Sequence, residues 1–310
     1  MRVDTVLDLI GGTPLVGIHQ LSPNPGVRLF AKLEGQNPGG SVKDRIALAM
    51  VEAAEREGRL RPGATVLEPS SGNTGIGLAL VCRVKGYRLK VVLPENVSPE
   101  RRQLLEIFGA EVVSSPAEEG SNGAIRVAQE LDKEGGYVLL YQYGNPANPD
   151  AHYRTTGPEI WADCPEVDVF VAGLGTTGTL MGVGRYLKER NPAVRIVAVE
   201  PPAGELFQGL RSMDEGYIPP IFDPDVLDRR LIVRARDSIV WARRLVEECG
   251  IFAGLSSGSV LSGAIKMAEA MDTGTIVVML PDGGWKYLST GAWTEDLDVV
   301  VDRARHLIYF

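Results

Sequence analysis

One lysine, Lys43, follows a glycine-rich loop in residues 38–45 (PGGSVKDR), where the pattern predicts the first turn of a helix. Ser41 and Asp44 stand three residues apart, which is the spacing of a capping box. Apolar residues continue at helical spacing, at Ile46, Ala47, Met50, Val51 and Ala54. Because a cation is disfavoured at the positive end of a helix dipole, this position favours a neutral amine that can form a Schiff base with a carbonyl. An ordinary surface lysine beside a helix cap is the alternative interpretation.

A second group of polar residues follows a predicted strand at residues 65–68. The loop at residues 70–75 (SSGNTG) combines hydroxyl, amide and glycine positions and leads into a predicted helix. Such donors can converge on a carboxylate at the start of the helix. Because the same residue types cap ordinary helices, carboxylate binding and capping are both open on this segment alone.

The loop at residues 173–179 (GLGTTGT) matches the glycine spacing GxGxxG, and Glu200 ends the next predicted strand. These features support a dinucleotide site in which Glu200 binds a ribose. The three threonine hydroxyls favour a small phosphate monoester instead, because a pyrophosphate is approached mainly by the backbone. On that interpretation Glu200, which precedes two prolines, is a solvated acid at a strand end. A third loop, residues 254–258 (GLSSG), is typical of a serine helix cap and indicates no function by itself.

The composition of the 310 residues is that of a globular protein with room for two domains, at 44% hydrophobic and 23% charged residues. The net charge of -8 argues against a nucleic-acid surface and favours a small-molecule partner. We expect no signal peptide, because residues 1–10 lack a basic segment followed by an apolar run, and no membrane span, because no apolar window is long enough. The three cysteines are odd in number and far apart, which favours a reducing, cytoplasmic location. Three scattered histidines and the cysteine spacing predict no metal site.

From residue 65 onward short β-branched runs alternate with helical patterns, which is typical of parallel βα units. The first series has predicted strands at residues 65–68, 90–93, 111–114 and 138–141, and helices at 75–85, 99–108 and 122–134. The second series has predicted strands at residues 167–172, 195–200 and 275–280, and helices at 179–190, 238–249 and 257–270. Residues 13–33 are predicted to form two more strands, joined by a loop at 22–26. Because ligands of such sheets lie where strands end, the three polar loops are the candidate ligand sites.

Taken together and in their order, these motifs resemble the cysteine synthase group of fold-type II pyridoxal-phosphate enzymes. The likeness is closest to O-phosphoserine sulfhydrylases and B-type cysteine synthases. Further matching motifs extend it across nearly the full chain, at residues 12–15 (GTPL), at Gln142 with residues 145–148 (NPAN), and at residues 155–159 (TTGPE). Several motifs in one order are much more specific than a single GxGxxG.

The resemblance implies an α/β fold of two domains, each with a twisted, mainly parallel sheet flanked by helices. The smaller, mobile domain would contain residues 38–145. The larger, cofactor-binding domain would contain residues 1–37 and 146–310, so that residues 13–33 join the second series of strands. A homodimer is also expected.

The resemblance further implies roles for the motif residues around pyridoxal 5'-phosphate. Lys43 would hold this cofactor as a Schiff base and later move protons. Asn73 would bond the ring hydroxyl oxygen, and Ser256 would face the pyridine nitrogen. The cofactor phosphate would bind Gly175, Thr176, Thr177, Gly178 and Thr179. The substrate would bind Ser70, Ser71, Gly72, Asn73, Thr74, Gln142 and Arg211.

A neutral serine at the pyridine nitrogen makes the ring a weaker electron sink than a carboxylate would, which disfavours transamination. The implied reaction is the synthesis of L-cysteine by β-replacement, in which an activated serine gives an aminoacrylate that a sulfur nucleophile attacks. The sulfur donor would be sulfide, thiosulfate or a thiocarboxylated carrier protein. A serine or threonine dehydratase and a Rossmann NAD-dependent dehydrogenase are the rival functions.

Arg211, within residues 209–216 (GLRSMDEG), is relevant to the identity of the leaving group, because a guanidinium is well shaped to bind a phosphate. In the resembling branch of the family an arginine here reaches the entrance of the active site. O-phospho-L-serine is therefore the expected donor, and O-acetyl-L-serine is the alternative. A surface arginine paired with Asp214 or Glu215 is the competing interpretation. The apolar tail at residues 306–310 (HLIYF) would either enter the site or pack on a neighbouring subunit.

Overall fold

The computed structural model describes residues 2–70, 72–205 and 209–306, apart from the side chains of the last two residues of that final range. Within these residues the strands are β1 (Leu15–Gly17), β2 (Val27–Leu33), β3 (Thr65–Pro69), β4 (Arg88–Pro94), β5 (Glu111–Ser115), β6 (Tyr137–Leu139), β7 (Val169–Gly173), β8 (Arg195–Glu200), β9 (Arg229–Ile232) and β10 (Gly274–Leu280). The α-helices are α1 (Lys43–Arg56), α2 (Asn73–Lys85), α3 (Pro99–Ile107), α4 (Gly120–Glu134), α5 (Ala147–Ala151), α6 (Gly157–Asp163), α7 (Gly178–Arg190), α8 (Ala235–Cys249), α9 (Leu255–Glu269) and α10 (Leu297–His306). In this part of the chain no helix combines the length and apolar character that crossing a membrane requires.

The strands form two sheets that correspond to the two predicted series. One sheet has four strands in the order β5-β4-β3-β6, and all of its neighbouring pairs are parallel. The other has six strands in the order β1-β2-β10-β7-β8-β9. In it β1 runs antiparallel to β2, and the other neighbouring pairs are parallel. The predicted α/β fold with two mainly parallel sheets is confirmed, whereas the domain boundaries at residues 38 and 145 stay a prediction.

Both faces of the six-stranded sheet are buried, because alternate residues of its strands face different helices. Val169, Val171, Val197 and Val199 share one core with α9. Phe170, Ala172, Ile196 and Ala198 share another with α7. In the four-stranded sheet, one face packs on α1 and α2 and the other on α4. The central strands are therefore covered on both sides, whereas the edge strands β5 and β9 are partly exposed.

Several boundaries differ from the predictions. Strand β6 ends at Leu139 and not at Tyr141, because Tyr141 has a left-handed φ of 55° and its N–H bonds the Glu68 carboxylate at 2.7 Å. Strand β9 was not predicted, since its sequence RRLI carries two arginines at the sheet edge. Helices α5 and α6 were also missed, because prolines and a glycine interrupt the pattern around the π-helix at His152–Thr156. The terminal helix α10 was not predicted either.

Helix α1 begins at Lys43 as predicted, but the capping box is not formed. The Asp44 carboxylate accepts the backbone N–H of Gly39 at 2.5 Å. The hydroxyl of Ser41 accepts the N–H of Lys43 at 3.2 Å. The loop therefore folds back over the helix start, and Asp44 holds the loop instead of capping the helix.

Candidate active site

One cleft gathers the loops that follow β3, β6, β7 and β10, together with the starts of α1 and α9. Its empty space is about 730 Å³, which includes volume open to solvent. The predicted residues that line it are Lys43, Ser70, Gly72, Asn73, Thr74, Gln142, Gly175, Thr176, Arg211 and Ser256. Ser71 and the tail at residues 307–310 lie outside the described residues, so the predictions made for them stay open. The carboxyl ends of strands thus meet at one site, as open α/β sheets require.

Lys43 lies in the first turn of α1 with its side chain partly buried. Burial lowers the pKa of its amine below the ordinary value, although the nearby carboxylates of Asp282 and Glu34 act in the opposite direction. The sequence suggested a neutral amine because of the helix dipole. The structure adds a second cause, which is loss of solvent, and both favour a nucleophilic amine.

The loop between β7 and α7 has the features of an anion site. Thr177 takes a left-handed φ of 72°, which is unusual for a β-branched residue. Its buried hydroxyl makes no hydrogen bond to any residue that the structure describes. The hydroxyl of Thr176 accepts the Asn148 amide N–H at 3.1 Å. Backbone N–H groups at the start of α7 complete a donor set that suits a phosphate.

The contacts of Gly178 and Thr179 also support this loop. A Cβ atom on Gly178 would lie 1.8 Å from Oδ1 of the buried Asn148 side chain, so a larger residue there would displace Asn148. The hydroxyl of Thr179 lies 3.2 Å from Nε2 of His152, whose Nδ1 lies 3.0 Å from the Thr156 hydroxyl. Burial lowers the pKa of His152 well below its ordinary value, so its imidazole is neutral. No sequence pattern predicts this role of His152, because a lone histidine carries no spacing signal.

The loop before α2 both caps the helix and lines the cleft. The hydroxyl of Ser70 accepts the N–H groups of Gly72 and Gly75 at 3.3 and 3.0 Å. The Thr74 hydroxyl donates to Oε1 of Gln142 at 2.6 Å. The two interpretations of this loop are therefore compatible, because Ser70 caps the helix start while Gly72, Asn73 and Thr74 line the cleft.

Glu68, a residue that the sequence analysis overlooked, orders the loop that carries Gln142. Its carboxylate is fully buried at the end of β3 and accepts the N–H groups of Tyr141 and Gln142 at 2.7 and 3.0 Å. Burial raises the pKa of Glu68 to about 8. The left-handed turn at Tyr141 is thus held by a buried acid, which sets the direction of Gln142.

A second overlooked group surrounds Asn73. The Asn73 amide donates to Oδ2 of Asp282 at 2.7 Å, and the Lys286 amine donates to Oδ1 of Asn73 at 2.7 Å. The Tyr287 hydroxyl donates to the same Asp282 oxygen at 2.5 Å. Asp282 comes two residues after the end of β10, so the rule that ligands lie at strand ends could have identified it.

Arg211 is buried, with 9% of its surface exposed. Its guanidinium donates to Oδ1 of Asn122 at 3.1 Å and lies 4.6 Å from the ring centroid of Tyr217. Asp214 pairs instead with Arg230 at 3.6 Å. The interpretation of Arg211 as a surface arginine paired with Asp214 or Glu215 is therefore wrong, and the guanidinium belongs to the cleft wall.

Glu200 is not the solvated acid that the sequence suggested. Its side chain is 2% exposed. The carboxylate accepts the N–H of Met213 at 2.8 Å and pairs with Arg230 at 3.2 Å. Because Glu200 stabilises the loop that contains Arg211, it is engaged within the protein and offers no ribose site. In the described part of the chain, no cluster of three or more His, Cys, Asp or Glu side chains could hold a metal ion.

These residues fit the pyridoxal phosphate that the resemblance implies. The unbonded hydroxyl of Thr177 and the start of α7 suit its phosphate, and the partly buried amine of Lys43 suits its carbonyl. The buried hydroxyl of Ser256, in the first turn of α9, lines the same cleft as a neutral group. The donor set therefore has one group for each polar part of the cofactor.

Comparisons with known proteins agree with this chemistry. The family profile described as "Pyridoxal-phosphate dependent enzyme" matches residues 6–282. A cysteine synthase of Staphylococcus aureus is 45% identical over 304 residues, which cover 95% of this chain and 98% of that protein. Cysteine synthase B of Escherichia coli is 42% identical over 295 residues, which cover 95% and 97% of the two chains.

Solved structures give the same result. The cysteine synthase of Entamoeba histolytica superposes with a TM-score of 0.87 at 36% identity, covering 99% of this chain and 96% of that one. O-ureido-L-serine synthase superposes with a TM-score of 0.90 at 39% identity, covering 97% and 100%. Because these matches span nearly the whole chain, the protein belongs to the pyridoxal-phosphate dependent enzymes and, among them, to the cysteine synthase family.

Proposed function

We propose that this enzyme makes L-cysteine by exchanging the group on the β carbon of an activated serine for sulfur, and that this serine is O-phospho-L-serine. The names of the relatives from Staphylococcus aureus and Escherichia coli support the reaction. The observation that carries the choice of donor is the buried guanidinium of Arg211 in the same cleft as Lys43. A guanidinium binds a phosphate dianion through paired, charge-assisted hydrogen bonds.

Each wall of the cleft has a separate task in this proposal. When bound, pyridoxal phosphate supplies an electron sink that makes loss of the β substituent possible. Lys43 would hold the cofactor through its carbonyl carbon, and the free amine of Lys43 would accept and return the proton of the substrate α carbon. Gly175 to Thr179 hold the phosphate, Asn73 the ring hydroxyl oxygen, and Ser256 the pyridine nitrogen.

The substrate carboxylate is held by the loop before α2 and by Gln142. Gln142 donates its amide N–H to the Pro69 carbonyl at 3.1 Å and accepts from Thr74 at 2.6 Å. These bonds hold its side chain against the first turn of α2, where the helix dipole favours an anion. We assign Ser70, Ser71 and Gly72 to the same carboxylate.

The donor is tested by steady-state assays of cysteine formation with sulfide and either O-phospho-L-serine or O-acetyl-L-serine. We expect Arg211→Ala to lower kcat/KM for phosphoserine by about 10- to 100-fold, because a hydrogen bond to a charged group is worth roughly 1.5 to 3 kcal/mol. We expect less than a threefold change for acetylserine. Arg185→Ala is the matched control, since Arg185 forms an exposed ion pair with Asp223 at 3.0 Å outside the cleft.

Two results would change the proposal. One is an equal kcat/KM for the two donors in the wild type together with an equal fall of both values in Arg211→Ala. This would remove the role of Arg211 and favour acetylserine. Release of a keto acid and ammonia from serine or threonine, without cysteine formation, would indicate a dehydratase. Because O-ureido-L-serine synthase is among the similar structures, formation of O-ureido-L-serine is a further reaction to assay beside those with sulfide and thiosulfate.

We further propose a cytoplasmic homodimer in which residues 38–145 move as the smaller domain over the larger one. A thiocarboxylated carrier protein is a further candidate sulfur source, which the same assay can include. Sedimentation equilibrium measures the oligomeric state of the purified enzyme directly. A monomer at micromolar concentration would contradict the dimer.

A further inference from the structure

A second lysine, Lys286, lies next to the cleft in the 3₁₀-helix Gly284–Thr290. Its side chain is fully buried, which is rare for lysine. The amine donates to Oδ1 of Asn73 at 2.7 Å and to the carbonyl of Gly40 at 3.1 Å. Lys286 therefore joins the first turn of α2 to the loop that precedes Lys43.

The contacts of Lys286 determine which way the Asn73 amide points. An ammonium group only donates hydrogen bonds, so the atom that faces Lys286 must be the amide oxygen. The amide nitrogen then lies on the other side, where it donates one N–H to Asp282 at 2.7 Å. An amide nitrogen carries two N–H groups, and Asn73 lines the cleft. With one N–H on Asp282, the second remains as a donor for a ligand.

Nearby carboxylates favour the charged form of Lys286, which donates hydrogen bonds. Burial lowers the pKa of Lys286 to about 8, and the carboxylates of Asp282 and Asp44 oppose that shift. The nearby cations Arg101 and Lys43 lower the pKa of Lys286 further. A buried ammonium that leaves its acceptor loses a charge-assisted hydrogen bond that no solvent replaces. Lys286 is therefore held firmly on the Asn73 oxygen.

We propose that Lys286 is a positioning residue for cofactor binding. By holding Oδ1 of Asn73, it presents the second amide N–H to the ring hydroxyl oxygen of pyridoxal phosphate. The inference rests on the role proposed above for Asn73. It adds a lysine that does not touch the cofactor but sets the direction of a group that does.

The test compares Lys286→Met with the wild-type holoenzyme. We expect the dissociation constant of pyridoxal phosphate to rise about tenfold, as expected for loss of one charge-assisted hydrogen bond. We also expect the visible absorption maximum of the bound cofactor to shift, because the hydrogen bond to its ring oxygen changes. Lys286→Arg keeps a donor on the Asn73 oxygen and should restore both values toward the wild type.

Lys32→Met is the matched control. Lys32 is equally buried, and its amine bonds Glu159 at 2.8 Å, away from the residues that line the cleft. We expect it to lower the denaturation midpoint without moving the absorption maximum. If Lys286→Met does not fold, Lys286→Ala, which also removes the donor to the Asn73 oxygen, is used for the same measurements.

A double-mutant cycle with Asn73→Ala decides whether Lys286 acts through Asn73. In the Asn73→Ala background, Lys286→Met should leave the cofactor dissociation constant within about twofold, since the group it orients is gone. Wild-type affinity and an unshifted spectrum in Lys286→Met or Lys286→Ala would overturn the inference while leaving the proposed function intact. A wild-type protein that makes no cysteine would instead overturn the proposed function.

Discussion

The guanidinium of Arg45 donates to both carboxylate oxygens of Glu34, at 2.7 and 2.8 Å. Arg45 lies two residues after Lys43 in α1, and Glu34 follows the end of β2 in the six-stranded sheet. The same guanidinium reaches both oxygens of Glu159 at 2.7 Å. Lys32 bonds Glu159 as well, so that two cations and two carboxylates form one buried cluster. Through Arg45, this cluster ties α1 to the larger sheet.

The first prediction concerns this cluster. Arg45→Met should lower the free energy of unfolding by about 3 to 5 kcal/mol, because removing one partner leaves buried carboxylates without their counter-ion. Equilibrium unfolding in urea, followed by circular dichroism, measures the change. Arg28→Met removes an exposed pair with Glu166 and should cost less than about 1 kcal/mol. Equal effects of the two variants would contradict the structural role of the cluster.

The second prediction concerns the pH dependence of stability. Burial pulls the pKa of Glu159 upward, but hydrogen bonds from Arg45 and Lys32 outweigh it and lower the pKa to about 2. A carboxylate with a lowered folded-state pKa stabilises the protein above its unfolded pKa of about 4.5, and this stability is lost as the pH falls toward 2. For Glu159 the contribution at pH 6 is about 3 kcal/mol.

Urea titrations of the wild type and Glu159→Gln between pH 6 and pH 3 test this prediction. The variant should be less stable at pH 6, and the difference between the two proteins should shrink as the pH falls. Glu166→Gln, which alters an exposed pair, serves as the control and should show little pH-dependent difference. A gap between wild type and Glu159→Gln that stays constant over this range would show that the Glu159 pKa is not lowered.

The third prediction concerns the amine of Lys43. Lys43→Ala should abolish the covalent attachment of the cofactor and lower kcat by about a thousandfold or more, since in the proposed function this residue both bonds the cofactor and moves a proton. The loss should appear as a changed visible spectrum and as release of the cofactor on dialysis. Lys266→Ala is the control, because it removes an exposed amine on α9. We expect it to leave both the visible spectrum and kcat unchanged. Turnover near the wild-type rate in Lys43→Ala would exclude its catalytic role.

The sequence alone determined the parallel βα series and the polar loops at the strand ends. These features depend on neighbours in the chain: β-branched runs, helical periodicity, glycines and helix caps. The start of α1 at Lys43 and the strand–loop–helix arrangement around Gly175 follow from such local rules. For the same reason the irregular segment around the π-helix at His152–Thr156 was missed, because its signals conflict locally.

The tertiary structure alone decided which charged residues leave the solvent. Asn73 and Lys286 are 213 residues apart in sequence yet bond at 2.7 Å, and Arg211 turns inward while Asp214 pairs elsewhere. Sequence rules assign isolated lysines, arginines and glutamates to the surface, because burying a charge costs free energy unless a partner is present. The partners of Lys286 and Glu200 come from distant segments, so only the assembled sheets could show that their charges are buried and satisfied.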